Sequence, residues 1–250
     1  MSLAVGAAIF SAGLVGLFLQ KQLPEPHTSE RSRDMIGAIV GLFSLLLALV
    51  LGTLIGSVFS FYSNQKAELE VFASRVVHLD LELAEYGPET MPTRVKMKDT
   101  LQGIHDMFWG KDIGEVAPES LKIAAALPPL RTLDEYIASL NPGTPAQRQF
   151  ASAASIDASA IEESRLLISL QLESPVSWPL LVIVISWALI LFCGFGLLSR
   201  FNATTVAALA FGAFAVATSV FLILELSEPF TGLFRLPSGA LEQMLAVVAR

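Results

Sequence analysis

Four long stretches without a charged side chain constrain this sequence more than any other feature. Residues 1–20 carry none, and none occurs between Asp34 and Lys66, between Glu173 and Arg200, or between Arg200 and Glu225, gaps of 31, 26 and 24 residues. A helix rises ~1.5 Å per residue, so about 20 apolar residues cross a hydrocarbon layer of about 30 Å. A helix on a soluble core needs a charged or polar wet side, which runs of this length do not supply. Charged residues make up only 16% of the chain, against roughly 25% in ordinary soluble domains. The expectation is an all-α polytopic membrane protein with four transmembrane helices and a helical water-facing domain between the second and third.

The first run lacks the basic start of a signal peptide and stays apolar to Gln20, so it reads as an uncleaved helix. The expected divisions are 1–63 for the first two crossings, 64–175 for the acidic extramembrane domain, 176–228 for the last two crossings and 229–250 for an amphipathic tail. The link 199–203 is short, so crossings three and four should pack antiparallel.

Crossing two does not stop at the membrane surface. From Leu51 through Ile55, Val58, Tyr62, Gln65, Leu69, Phe72, Val76, Leu79 and Leu83 to Tyr86 the steps alternate between four and three residues, and the stripe is apolar except at Gln65. Gly87-Pro88 stops it. This predicts one helix of about 50 residues, on the order of 75 Å long, with Asp34 as its N-terminal cap. A second stripe steps the same way through Thr53, Ser57, Ser60, Asn64 and Ala67, and is small or polar.

The rest of the domain also reads as helical. Met97, Leu101, Ile104 and Phe108 share a face, a short helix holding Pro118 ends at Pro128-Pro129, and residues 131–140 form another. Thr144-Pro145-Ala146-Gln147 is a capping-box start for a helix reaching about Leu172. In the tail, Ser238 is placed to cap a helix turning Leu241, Leu245 and Val248 to one side, against the membrane surface or the long helix.

Residues 64–176 hold ten Lys/Arg and seventeen Asp/Glu, and the rest of the chain six of each, so the whole net charge of −7 lies in the water-facing domain. Nucleic acid is excluded as a partner, because phosphate contacts need Lys and Arg. Lys21, Arg31 and Arg33 follow crossing one with no basic residue before it, which by the positive-inside rule puts the domain outside the cell.

Candidate chemistry is sparse. Thr53, Ser57, Ser60 and Asn64 line an aqueous path or form a close-packing face. Gly37/Gly41 and Gly52/Gly56 are G-x-x-x-G pairs, which read as helix-packing positions. Glu225 is the one ionisable group near a crossing's interior: it reads first as an interfacial carboxylate reaching water or paired with Lys66 or Arg235, and otherwise as a pore-mouth group. Asn202-Ala203-Thr204 reads as a helix start. His27, His78 and His105 share no metal-ligand spacing, adjacent His105 and Asp106 should not face each other, and lone Cys193 reads as small filler. No metal, cofactor or catalytic constellation is indicated, so the chain is not read as an enzyme.

Three stretches carry a family resemblance: LDLELAEYGPE at 79–89, ALVLGTLIGS at 48–57, and SRFNATTVAALAFGAFAVATSVFLILELSEPFTGLFRLPSGALEQML at 199–245. They resemble a bacterial membrane family described as bestrophin-like. Bestrophins are homopentameric anion channels with four crossings, a cytosolic helical domain and a hydrophobic neck on the second crossing. The resemblance therefore implies a homo-oligomer, pentameric by analogy, in a bacterial inner membrane, with the lipid bilayer and inorganic ions as partners and crossing two lining a pore. No motif fixes which of Phe43, Phe59 and Phe61 would form a neck. The acidic domain repels anions and concentrates cations at an entrance, and the charge rule puts that domain on the side opposite to the bestrophins' own. A non-conducting structural or sensory protein, assembling through the long helix, is the alternative.

Overall fold

The structure, a computed structural model, describes residues 1–22, 30–110, 131–170, 176–228 and 233–250. Among these the chain is helical with no strand: α1 (Ser2–Gln22), α2 (Glu30–Tyr86), α3 (Met91–Trp109), α4 (Arg131–Ser139), α5 (Pro145–Leu170), α6 (Trp178–Leu198), α7 (Ala203–Leu226) and α8 (Gly239–Val247). α1, α2, α6 and α7 are each long and apolar enough to cross a membrane. The helix expected around Pro118 lies outside the described residues. The chain packs as two compact units, Met1–Tyr62 with Ser174–Phe234 and Ser63–Glu173 with Arg235–Arg250.

In the first unit α1 and α6 meet backbone to backbone. A Cβ on Gly196 would lie 2.2 Å from the Gly13 carbonyl oxygen, and one on Gly16 would lie 2.1 Å from that of Cys193. Only glycine permits this approach, and it lets two helices gain dispersion contacts that lipid does not offer. Lys21, at the end of α1, sits 4.5 Å from the centre of the Phe201 ring, which follows α6. α1 and α6 therefore end at the same level. Gly6 meets Ala217 and Gly13 meets Leu209, so α7 runs the opposite way. Asn202 starts α7 as a cap, its side chain accepting the Thr205 N–H at 2.6 Å. α2 joins through side chains: Val40 fills the space above Gly194, and Phe43 meets Trp187 edge-on at 6.0 Å.

α2 is 57 residues long, about 85 Å at ~1.5 Å per residue. It begins at Glu30, so Asp34 lies inside the helix and is not its cap; its charge still suits the positive end of the helix dipole. The other end falls where the sequence puts it. Gly87 adopts φ 151°, which side chains disfavour, and buried Thr90 donates to the Leu83 carbonyl at 2.5 Å, one of those the helix end leaves open.

The second unit is built on the heptad stripe. Leu69, Phe72, Val76, Leu79 and Leu83 are buried against Leu101 of α3, Leu133 and Ile137 of α4, Ala154, Ala158 and Ile161 of α5, and Leu241, Met244 and Val248 of the tail. The stripe is covered by the chain's own helices and is not an open seam for a second copy. At the start of α5 the capping box forms: the Gln147 N–H donates to Thr144 Oγ1 at 3.1 Å and the Thr144 N–H to Gln147 Oε1 at 3.3 Å. Ser238 does not cap α8; its hydroxyl instead donates to the Glu242 carboxylate. The tail packs into this unit's core.

Candidate functional site

α2 has two faces that share a heptad count. Along the first, Leu51, Val58 and Gln65 are buried, while Ile55 and Tyr62 are partly so. Along the second, Thr53, Ser57, Ser60 and Asn64 are all exposed. At ~100° per residue the two stripes lie on roughly opposite sides of the helix. Thr53 satisfies its hydroxyl within the helix, donating to the Leu49 and Val50 carbonyls at 3.0 and 2.9 Å. The four polar residues read from the sequence thus share one outward face.

Glu225 does not join them. It sits in the last turn of α7, and its carboxylate accepts the backbone N–H of Leu233. Lys66 pairs with Glu70 at 3.8 Å, one turn along α2.

Gly37, Gly41, Gly52 and Gly56 touch nothing in this chain: a Cβ on any of them would find no neighbour within 4 Å. The glycines that bring helices of the chain together include Gly6, Gly13, Gly16, Gly194, Gly196 and Gly212. Gly52 and Gly56 lie about 60–100° round the helix from the polar stripe, on a flank open to a neighbour. Of the three aromatics, Phe43 is taken by Trp187, and Phe59 is exposed but off the polar stripe.

The second unit holds buried charges that periodicity does not reveal. Arg94 donates through Nε and Nη2 to the two oxygens of Asp80, each at 2.8 Å. That bidentate bond holds the guanidinium above its usual range, against the opposing effect of burial. Asp80 also accepts the Ala249 N–H at 3.1 Å, and Lys98 donates to the Val248 carbonyl at 2.9 Å, so the tail is clamped by the same residues. Trp109 Nε1 donates to the Leu236 carbonyl at 2.8 Å. His105 Nδ1 comes within 3.1 Å of Asp106 Oδ1, a contact that the spacing argument had excluded. Asp106 is exposed, so its side chain is free to swing along the helix flank to the ring.

Arg75 pairs with buried Asp157 of α5 at 2.6 Å. Near them Glu82 has a buried oxygen without a hydrogen bond. Burial first, and then the Asp157 charge, raise its carboxyl above the ordinary 4.5, while His78 and Arg75 act the other way. A raised carboxyl pKa favours the protonated form in the fold. Its penalty is absent below pH 4.5, grows as pH rises through the shifted value and is complete above it. Glu82→Gln should therefore raise the melting midpoint at pH 7.5, and the gain should vanish near pH 4; equal gains at both pH values would contradict this.

Among the described residues no group of three or more His, Cys, Asp or Glu side chains is arranged to hold a metal ion. No curated protein and no solved structure matches the chain. A family model does: the Bestrophin-like domain matches residues 7–241.

Proposed function

The chain belongs to the bestrophin-like family, and from that membership we propose a homo-oligomeric ion channel or pore, not an enzyme, in which α2 lines the axis. The supporting observation is the exposed polar stripe. Thr53, Ser57 and Ser60 face outward from the apolar part of α2, opposite the side that the chain covers itself. Facing lipid, a polar stripe has no partner beyond the carbonyls of its own helix, the bond that Thr53 makes. Facing an axis shared by copies, it contacts water and permeating ions. Gly52 and Gly56 would then lie toward the adjacent α2, where a missing side chain allows close approach. The protein would reside in a bacterial inner membrane, with Lys21 and Arg200 at one face.

Cysteine labelling tests this in reconstituted Cys193→Ala protein. Ser57→Cys should react with a charged, water-soluble thiol reagent, and the reaction should alter conductance in planar bilayers. Val58→Cys, at a position only 1% exposed, should not react. Protein silent under every ion and voltage condition would refute the channel. It would leave the second reading, a non-conducting structural or sensory assembly, which the open Gly52/Gly56 flank supports equally.

A further inference from the structure

His105 stands where α3 meets the tail, and carboxylates approach its ring from both ends. Nδ1 lies 3.1 Å from Asp106 Oδ1 on the same helix, and Nε2 lies 3.8 Å from Glu242 Oε1 on α8. The ring stacks on Trp109 at 6.0 Å, and the side chain is only 19% exposed. Nε2 is buried without a hydrogen bond. Ser238, one turn before Glu242, donates to the same carboxylate oxygen and orients it. The other charges of α3 beside the tail are engaged, Lys98 with the Val248 carbonyl and Arg94 with Asp80. To this core α2 presents its apolar stripe, Leu69, Phe72 and Val76, and α4 presents Leu133 and Ile137.

An ionised carboxylate only accepts hydrogen bonds, and a neutral imidazole carries a single N–H. The neutral ring therefore serves one of its two neighbours. Given to Asp106, that N–H leaves a buried lone pair on Nε2 facing the charge of Glu242. The imidazolium carries an N–H at each end and matches both. We propose that His105 and Glu242 form a pH-sensitive latch on the C-terminal helix, in which the docked tail takes up a proton on His105. Undocking removes Glu242 from the ring and leaves Asp106, which travels with α3. Docking thus binds protons: the tail is held more tightly as pH falls through the ordinary imidazole range near ~6.5, and that hold is lost as pH rises through it. Trp109 at the Leu236 carbonyl, and Asp80 and Lys98 at residues 248–249, hold the two ends of the tail, and the latch acts between them.

Amide exchange of the full-length protein in detergent, corrected for intrinsic rates, tests this. Residues 239–247 should be about threefold better protected at pH 5.5 than at pH 7.5, the size of one part-exposed ion pair. That gain is counted beyond any change across residues 145–161 of α5, which report the pH response of the unit beside Asp157. His105→Gln should abolish the excess. Because losing the ring also loses its stack on Trp109, Glu242→Gln gives a second test with ring and stack intact, and it too should abolish the excess. His78→Gln, at an exposed histidine on α2, should keep it. A tail protected equally at both pH values, or better at pH 7.5, overturns the latch. So does an excess that survives Glu242→Gln or disappears in His78→Gln. None of these outcomes depends on whether the assembly conducts.

Discussion

Arg94→Met should destabilise the second unit by about 3–5 kcal/mol, the usual cost of removing one partner from a buried ion pair. Methionine matches the length of the arginine stem, so a cavity is not the main cause. The cause is Asp80, which is 2% exposed and would keep the Ala249 N–H as its one remaining partner at that site. The same change loosens the tail, because Asp80 holds Ala249 in its φ 55° conformation. Two observations check this. The melting midpoint in detergent should fall by on the order of 10 °C, and amide exchange across residues 241–248 should speed up. Arg94→Lys should fall between the two, since an ammonium keeps the charge but cannot make the two-pronged bond. Asp80→Leu with Arg94→Met should recover part of the loss, because neither charge is then stranded. An unchanged midpoint in Arg94→Met would mean that the pair is not buried as described.

Much of the architecture could be read from the sequence because it is periodic or local. A spanning helix announces itself by the absence of charge over its own length, and all four did so. The stripe from Leu51 to Tyr86 was legible because burial against any partner selects the same residues, whichever helix supplies that partner. The Thr144–Gln147 box and the Asn202 cap need only residues within one turn. What stayed hidden depends on two segments meeting. Asp80 stands beside Leu79 on α2, and nothing in its spacing says that α3 will fold back past Gly87 to bring Arg94 against it. The partner of the tail is hidden because amphipathicity names a buried side without naming what buries it. Ser238 had the chemistry of a cap and used its hydroxyl on Glu242.

The glycines sharpen that lesson into an expected result, because G-x-x-x-G spacing does not say whether a glycine packs within the chain or between copies. Gly196→Leu should disrupt the first unit. Even its Cβ would lie 2.2 Å from the Gly13 carbonyl oxygen and 2.7 Å from the Leu17 nitrogen, and both are backbone atoms that cannot rotate away. α1 and α6 must then separate. Overpacking of this kind costs about 1–3 kcal/mol and more where backbones must move. Gly56→Ala should behave in the opposite way in an isolated chain: its methyl meets open space, and alanine favours a helix over glycine by up to about 1 kcal/mol. If the Gly52/Gly56 flank packs between copies, that gain is reversed on assembly, where the methyl holds adjacent α2 helices apart. Light scattering on protein in detergent separates the two cases. Gly196→Leu should lower the yield of folded chain, and Gly56→Ala should yield folded chain that no longer forms the full oligomer. A Gly56→Ala oligomer of unaltered size and stability would remove the glycine flank from the interface. The exposed polar stripe would then have to reach its axis through contacts on another side of α2.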